Sequence, residues 1–318
     1  MAVTRLTGAP SPARSRIGAE RGPAAPGRRS RVGRPRSRVA RRLRFAGIVP
    51  FVAYFAVFLV VPSVSVVSSA FETVGGNFTW ANITAALQGT YLVSFEKSLE
   101  LSAISAGVSA VLGTVVAIAL ASTTNVAARR VVTSASAVFA NTGGLPLAFA
   151  FIASLGNFGI VTKVLSAMGW NPYDHGFSIY TLTGLVVVYC YFLLPLMVLV
   201  MLPAVDGLRR EWFEAASLLG ARRRDAWRHV GIPVLAPAFL AALMVLFTDA
   251  FAAYATAAAL TNGSIPIVPI QIGSLIEGNV LAGQQNVGDA LGLGMIVVVA
   301  VAATLYARLQ HRAARWQR

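Results

Sequence analysis

The chain has 318 residues, of which 56% are hydrophobic and 12% are charged, whereas an ordinary soluble domain is roughly one-quarter charged. Its formal net charge of +15 would suit a nucleic-acid partner, but the basic residues cluster in short segments between apolar runs. A single cysteine, Cys190, excludes an intrachain disulfide and a cysteine-based metal site. The composition predicts an integral membrane protein that does not bind nucleic acid.

The first 44 residues carry thirteen arginines among Pro, Ser, Gly and Ala residues, with few apolar side chains to bury. This composition predicts a disordered basic cytoplasmic tail, and contact with anionic lipid headgroups is an alternative role for it. Arg41 and Arg42 precede an apolar run, as in an export signal, but the run from Phe45 to Val67 is long enough to span a membrane. We therefore expect a retained first membrane helix.

Six apolar segments approach the roughly 20 residues that a helix needs to cross the hydrocarbon core of a bilayer. They are Phe45–Val67, Leu99–Ala121, Val131–Leu155, Ile179–Leu202, Val234–Leu260 and Ala290–Leu309. The sequence thus predicts an all-α integral membrane protein with about six transmembrane helices, in a domain that covers residues 45–309.

The positions of the basic residues predict how these helices are oriented. With both termini in the cytoplasm, 25 of the 27 Lys and Arg residues lie in cytoplasmic segments, and only Lys97 and Lys163 lie outside. Cytoplasmic segments of membrane proteins carry such an excess. Residues 310–318 then form a cytoplasmic C-terminal tail, and the loop at residues 204–233, between the fourth and fifth helices, is also cytoplasmic.

Two segments depart from a regular apolar helix. In the third, Asn141, Gly144 and Pro146 interrupt the run, and proline removes a backbone donor that protein or water must replace. Such a break lines a pathway in some membrane proteins and is a filled kink in others, and Asn141 is a candidate pathway residue. Residues 265–281 are apolar but too short to span, which predicts a re-entrant or interfacial piece on the outer side.

Asp249 lies near the middle of the fifth segment, where a carboxylate is costly unless it faces protein or a water-filled cavity. We therefore name Asp249 as the first candidate for the substrate pathway, with Tyr254 nearby. The alternative is a structural hydrogen bond from Asp249 to a neighbour such as Thr248 or Tyr254.

The cytoplasmic loop between the fourth and fifth segments holds the most informative pattern in the chain. Apolar side chains recur there at helical spacing, beginning at Trp212, which predicts a short amphipathic helix over about Arg209 to Leu219. Gly220 can end this helix in a left-handed cap. A second, arginine-rich helix should follow and stop near Pro233. An apolar stripe that lipid does not cover predicts a partner protein.

The same loop contains seven residues at fixed spacing, namely Glu214, Ala215, Ala216, Gly220, Val230, Ile232 and Pro233. This pattern resembles the EAA motif of the permease subunits of bacterial ABC importers with the type I fold. In that family the loop reads Glu-Ala-Ala, three residues, Gly, nine residues, then Ile-x-Leu-Pro. Val230 and Ile232 replace the family's isoleucine and leucine, which are conservative departures.

The resemblance implies the type I permease fold, in which this loop couples the membrane helices to an ATPase. It implies an ATP-binding-cassette ATPase dimer, a second permease subunit that is identical or different, and an extracytoplasmic solute-binding protein as partners. It also implies a multi-pass location in the bacterial plasma (inner) membrane. The homo- or heterodimeric nature of the permease pair stays open.

No Gly-x4-Gly-Lys-Ser/Thr phosphate loop occurs in the chain, so it should bind no nucleotide by that mechanism. We expect no cofactor and no metal on this chain, with ATP and Mg²⁺ held by the partner ATPase. We therefore expect a transport subunit rather than an enzyme.

Within the family, the pattern looks most like the branch that serves polyamines, ferric iron, sulfate, thiamine and phosphonates. A polyamine or aminophosphonate is the expected solute, because the Asp249 carboxylate would suit an amine. An ion-gradient-driven secondary transporter is the alternative, but it should show paired intramembrane ionisable groups, and only Asp249 lies deep. A membrane-embedded enzyme would need clustered ionisable residues at membrane depth, and the three histidines lie in loops or the tail.

Cysteine labelling tests the predicted topology. On a Cys190→Ser background, cysteines introduced at Asn77 and Asp174 should react with a membrane-impermeant maleimide applied to intact cells. A cysteine introduced at Arg223 should react only after the membrane is permeabilised. Labelling of the Arg223 position from outside would show that the orientation is inverted.

Overall fold

Apolar helices make up nearly all of the structure, a computed structural model that describes residues 49–277 and 284–316. In hydrocarbon, each backbone N–H and C=O group needs a partner within the protein, and an α-helix supplies one for every interior residue. The described residues contain six helical segments long and apolar enough to cross a membrane. They are Val49–Ala70, Gly89–Ser122, Leu145–Ala167, Leu182–Asp206, Arg223–Ala252 and Asn286–Leu309.

The α-helices of the described residues are numbered in chain order. They are α1 (Val49–Phe55), α2 (Val61–Ala70), α3 (Ala81–Ala86), α4 (Gly89–Ser122), α5 (Val126–Ala140), α6 (Leu145–Leu155), α7 (Ile160–Ala167), α8 (Leu182–Asp206), α9 (Arg210–Leu218), α10 (Arg223–Ala226), α11 (Ile232–Ala252), α12 (Ala255–Thr261), α13 (Val268–Ile276) and α14 (Gln285–Trp316). Two π-helical turns, at Ala56–Val60 and Trp227–Gly231, and a 3₁₀ turn at Pro172–His175 accompany them. The packing described below is that of the described residues from Ala56 onward.

The centre of the fold is the long contact between α4 and α8. Small residues make up most of the buried part of α4, namely Ser94, Ser98, Ser102, Ser105, Ala106, Ser109, Ala110, Gly113 and Ala117. The α8 side supplies large buried side chains such as Tyr189, Leu193 and Met197. A Cβ atom on Gly113 would lie 2.6 Å from the Cβ of Met197, so glycine is required for the two helices to approach this closely.

Two further helices surround this pair. Helix α11 packs against α4, α8 and α14, and α14 packs in turn against α2, α3 and α13. The Ser98 hydroxyl of α4 accepts a 2.9 Å hydrogen bond from the Val268 backbone N–H, which satisfies a buried donor at the start of α13. Gly292 of α14 leaves room for Val66 of α2, whose Cγ1 would lie 3.3 Å from an added Cβ.

The third apolar segment departs from the prediction. Instead of one helix over Val131–Leu155, the structure has α5 and α6, and the segment that is long and apolar enough to span is Leu145–Ala167. The separation follows from Gly144, which has a φ of +75°, and from Pro146, which favours the first turn of a new helix.

The last span ends at Leu309, as predicted, and its helix continues beyond it. Helix α14 runs to Trp316, because the residues after Leu309 are mostly good helix formers. The segment predicted at residues 265–281 contains the nine-residue helix α13, and its last residues lie outside the described part of the chain. The predicted tail at residues 1–44 and the final two residues of the C-terminal tail also lie outside the described residues.

The close approach of α4 and α8 can be tested with two glycines of the same helix. Gly113→Ala should lower the melting temperature of the purified protein, because its methyl group overlaps Met197 and relieving such overpacking costs about 1–3 kcal/mol. Gly107→Ala is the matched control. Nothing lies within 4 Å of a Cβ at Gly107, and replacing a mid-helix glycine by alanine gains about 0.5–1 kcal/mol. Equal melting temperatures for the two variants at the same scan rate would contradict the packing argument.

Candidate coupling loop and membrane pathway

Helix α9 ends as the sequence predicts, in a left-handed cap at Gly220, whose φ is +77°. The Ala221 N–H donates to the Ala216 carbonyl at 3.0 Å, and the Gly220 N–H donates to the Ser217 carbonyl at 3.0 Å. This pair of bonds is the Schellman motif, which satisfies the last carbonyls of a helix. The cap fixes the direction in which the chain leaves α9 toward α10.

The apolar residues of α9 and its cap divide between two environments. Phe213 is half-buried and packs on Trp227, with ring centroids 5.5 Å apart. Leu218 and Leu219 are 89% and 88% exposed. Trp212 is also exposed, and the Arg209 guanidinium lies 6.0 Å from its ring centroid. The side of α9 that faces away from the protein is therefore strongly apolar at its C-terminal end.

The motif residues do not form a single surface. On α9, Glu214 and Ala215 are exposed and Ala216 is half-buried, whereas Val230 is half-buried in the π-helical turn and Ile232 is exposed at the start of α11. In the part of the chain that the structure describes, the Glu214 carboxylate has no ion-pair partner. Exposed small and acidic residues suit close contact with another protein.

A cavity of about 920 Å³ lies beneath α9. Its lining includes Ile118 near the end of α4 and Val205 near the end of α8, together with Glu214 and Arg223 of the loop. The cavity therefore lies where the membrane helices meet the loop.

The second loop helix does not stop near Pro233, contrary to the prediction. Helix α10 continues through the π-helical turn into α11, so that residues 223–252 form one helical segment. Pro233 lies in the first turn of α11, where a missing N–H is tolerated. Gly231 makes room for the Trp227 ring, since an added Cβ would lie 2.5 Å from the ring's Cε3.

An ion pair at the base of the loop was not predicted from the sequence. Arg129, in the first turns of α5, pairs with Asp206, the last residue of α8. Both side chains are about one-third exposed. The only available signal was that opposite charges end neighbouring segments on the same predicted side of the membrane.

Two helix breaks form a second region of interest, within the membrane domain. Between α5 and α6, the Gly144 N–H donates to the Thr256 Oγ1 at 2.9 Å. Between α11 and α12, the carbonyl of Ala253 accepts a 2.9 Å hydrogen bond from the buried Tyr189 hydroxyl. Thr256 belongs to α12, so the first break is bonded to the helix that follows the second. The sequence predicted the first break, but no proline or glycine marked the second.

The candidate pathway residues lie near these breaks. The Asn141 side chain is exposed and donates to the Ala137 carbonyl at 2.8 Å. Tyr254 is 42% exposed, and its hydroxyl lies 2.9 Å from the position of a Cβ on Gly273. Asp249 is exposed. Among the described residues, no hydrogen bond joins Asn141, Asp249 and Tyr254.

The alternative of a structural hydrogen bond at Asp249 is not realised among the described residues. The Thr248 hydroxyl instead donates to the carbonyls of Met244 and Val245, at 3.1 and 2.9 Å. Asp249 also forms no salt bridge in the described ranges, where the two salt bridges join Lys97 to Glu100 and Arg129 to Asp206.

The fold and the loop together define a multi-pass membrane protein with a capped surface helix between its fourth and fifth spans. The chain belongs to the family described as "Binding-protein-dependent transport system inner membrane component", whose family model matches residues 109–318. The family predicted from the loop motif is therefore confirmed.

One relative among curated proteins is the trehalose/maltose transport system permease protein MalF of Thermococcus litoralis. It is 23% identical over 154 residues, which are 48% of this chain and 52% of the relative. The chain thus aligns with about half the length of this relative.

Two solved structures share the fold. One is a bacterial ABC transporter involved in the import of the acidic polysaccharide alginate, and the other is an alginate ABC transporter in complex with its alginate pentasaccharide-bound periplasmic protein. Each matches with a TM-score of 0.66 at 16% identity and covers 87% of this chain and 96% of the matched chain. The predicted all-α membrane fold is confirmed by this similarity.

Proposed function

We propose that this chain is the membrane-spanning permease subunit of an ATP-binding-cassette importer. The observation that carries the proposal is helix α9, a capped surface helix in the loop that bears the EAA motif. Its exposed Leu218 and Leu219 are costly to leave in water, since full burial of a leucine side chain is worth about 1.5–3 kcal/mol. An ATPase subunit that covers these leucines would gain that free energy.

The loop is built to pass motion to the membrane helices. The Schellman cap at Gly220 fixes the angle between α9 and α10, and α10 is continuous with α11. A displacement of α9 by an ATPase therefore moves a single helical segment, residues 223–252, that ends beside the break at Ala253. ATP and Mg²⁺ belong to that ATPase in this proposal, and this chain performs no covalent chemistry.

The proposed assembly contains two permease subunits, an ATPase dimer and an extracytoplasmic solute-binding protein. The family description and the alginate transporter solved with a periplasmic protein both support the binding-protein partner. We propose both termini and residues 204–233 as cytoplasmic, with residues 1–44 as a basic tail, residues 45–309 as the membrane domain and residues 310–318 as a C-terminal tail. The matched family gives no support to the ion-gradient alternative.

We infer that the solute is a sugar or oligosaccharide. The similar proteins named above concern trehalose, maltose and alginate, and none of them concerns a polyamine, a metal ion or a phosphonate. The exposed side chains of Asn141 and Tyr254, beside the two helix breaks, offer uncharged hydrogen-bonding groups that suit hydroxyl-rich solutes. The expectation of a polyamine or aminophosphonate rested on Asp249 and on the resemblance to the branch that serves polyamines, ferric iron, sulfate, thiamine and phosphonates. That branch assignment was wrong, since the similar proteins are sugar and polysaccharide transporters.

Asp249 keeps an amine-bearing solute as the second candidate. Asp249 lies close to Ala252, the end of the helical segment at residues 223–252, and not near the middle of the span as the sequence predicted. A carboxylate within a membrane helix is still costly when it meets lipid. Since Asp249 is exposed in the single chain, it must face a water-filled path or a second subunit in the membrane. A carboxylate on such a path accepts hydrogen bonds from sugar hydroxyls or pairs with an ammonium group.

Substitution of Gly220 tests the coupling role. Gly220→Val should weaken binding of the co-expressed ATPase roughly tenfold, because a left-handed backbone costs a non-glycine residue about 1–2 kcal/mol and tenfold corresponds to about 1.4 kcal/mol. Solute-stimulated ATP hydrolysis by the reconstituted complex should fall in parallel. Gly220→Asn is the matched control, since asparagine tolerates this conformation and should retain most of both activities.

Leu219→Ser provides a variant that does not disturb folding, because the side chain is 88% exposed. It should also reduce co-purification of the ATPase while leaving membrane insertion intact. Uptake that persists after ATP depletion, collapses with an uncoupler and is unchanged in all three variants would overturn the importer assignment.

Asp249→Asn distinguishes the two solute classes. Asparagine keeps an oxygen acceptor but loses the charge, so uptake of a sugar should change by no more than a few-fold. Uptake of an amine should fall much further, since charge-assisted hydrogen bonds are about twice as strong as neutral ones. Transport assays with radiolabelled maltose, trehalose and a polyamine make the comparison. Uptake by the unsubstituted protein of the polyamine alone, lost in Asp249→Asn, would overturn the sugar assignment.

A further inference from the structure

We propose that Phe71, Phe78 and Trp80 form an aromatic anchor that inserts into the headgroup–acyl boundary of the membrane face opposite the α9–α10 loop. The three rings pack on one another. The Phe71 ring lies 6.0 Å from that of Phe78 and 5.1 Å from that of Trp80, and the Phe78 and Trp80 centroids are 5.7 Å apart. Despite this packing, Phe78 is 68% exposed and Trp80 is 60% exposed.

The anchor lies where a membrane helix leaves the bilayer. Phe71 directly follows Ala70, the last residue of the first spanning segment. The α9–α10 loop follows the fourth span and residues 71–88 follow the first, so an alternating chain places them on opposite membrane faces. This placement depends only on the order of the spans and does not depend on the solute.

The anchor is continuous with a surface that faces lipid. Val64 and Val67 of α2 are 60% and 37% exposed, and Phe71 follows them at spacings of seven and four residues, on the same side of a helix. An exposed valine row on a membrane-spanning helix has lipid as its solvent. Through Phe71 this row leads to the rings of Phe78 and Trp80, so one apolar surface extends from the acyl chains to the end of the helix.

The backbone holds the anchor in position before any lipid contact. A tight hairpin returns the chain on itself, with the Thr79 N–H donating to the Phe71 carbonyl at 2.8 Å. The Glu72 carbonyl accepts hydrogen bonds from the side chains of Asn82 at 2.8 Å and Asn286 at 2.6 Å. The rings therefore lose little conformational freedom on insertion, which favours binding.

The chemistry of the segment suits a membrane interface rather than water or the hydrocarbon centre. Trp side chains are enriched at headgroup level, where the ring is buried and the indole N–H meets polar groups. In the described part of the chain, that N–H of Trp80 has no hydrogen-bond partner. From Phe71 to Phe95 the one charged residue is Glu72, which is exposed and whose charge must stay at headgroup level when the rings insert.

Fluorescence quenching by brominated lipid tests the anchor. The full chain is reconstituted into nanodiscs of phosphatidylcholine and phosphatidylglycerol that carry bromine near the glycerol end or near the methyl end of the acyl chains. Of the five tryptophans, Trp80 should contribute strongly to quenching by shallow bromine. Trp80→Phe should therefore reduce the shallowly quenched fraction by up to about one-fifth, the share of one tryptophan in five. Trp212→Phe, which removes the exposed tryptophan of α9, is the matched control and should not reduce it.

Three results would overturn the proposal. They are equal effects of the two substitutions, quenching of Trp80 by aqueous acrylamide instead of lipid, and protection of Trp80 from acrylamide only when a solute-binding protein is added. The last result would assign the rings to protein docking. Size-exclusion elution of the Trp80→Phe variant checks its folding, and since no ATPase or solute is present, failure here leaves the importer proposal intact.

Discussion

The absence of water in the hydrocarbon core is the constraint on which this structure depends, because every backbone polar group must find its partner within the protein. Long helices satisfy this constraint through their own backbone hydrogen bonds, without help from side chains. At the two helix breaks the constraint is met by side chains, as Thr256 bonds the backbone of Gly144 and Tyr189 bonds the carbonyl of Ala253. An unmade hydrogen bond at a buried carbonyl costs about 1–3 kcal/mol, so both side chains are needed to keep irregular backbone inside the membrane domain.

The same need to pair every polar group within the protein also explains the contact between α4 and α8. Membrane helices have no hydrophobic driving force toward each other, so their association relies on close packing. Serine residues on α4 allow such packing because their hydroxyls bond carbonyls one turn earlier, as Ser102 does with Ser98 and Ser105 does with Leu101. Small side chains thereby bring the two backbones together without leaving most polar atoms unpaired.

Much of this architecture could be predicted from the sequence, and the exceptions have physical causes. Apolar run length predicted the number of spans but misplaced the third, and helical spacing with a glycine predicted α9 and its cap. The break at Ala253 was not predictable, because the residues around it have ordinary helix propensities and the partner that permits it, Tyr189, is 64 residues away. The continuous path from α10 into α11 was also not predicted. The sequence alone does not show whether Pro233 ends one helix or lies in the first turn of the next, where proline is tolerated. The candidate pathway residues were chosen by chemistry alone, and no local pattern could reveal which of them share a surface.

The unbroken passage from α10 to α11 has a thermodynamic consequence for the proposed importer. A helical segment of 30 residues is about 45 Å long, so its two ends experience opposite faces of the membrane domain. If an ATPase binds more tightly when the loop end of this segment is displaced, the conformations available at the Ala253 end change in stability as well. Such coupling is reciprocal. If ATPase binding at the loop changes the affinity for a solute near the Ala253 break by some factor, solute binding there changes the affinity of the loop for the ATPase by the same factor. In this proposal the single helical segment at residues 223–252 is sufficient to couple solute binding to the ATPase.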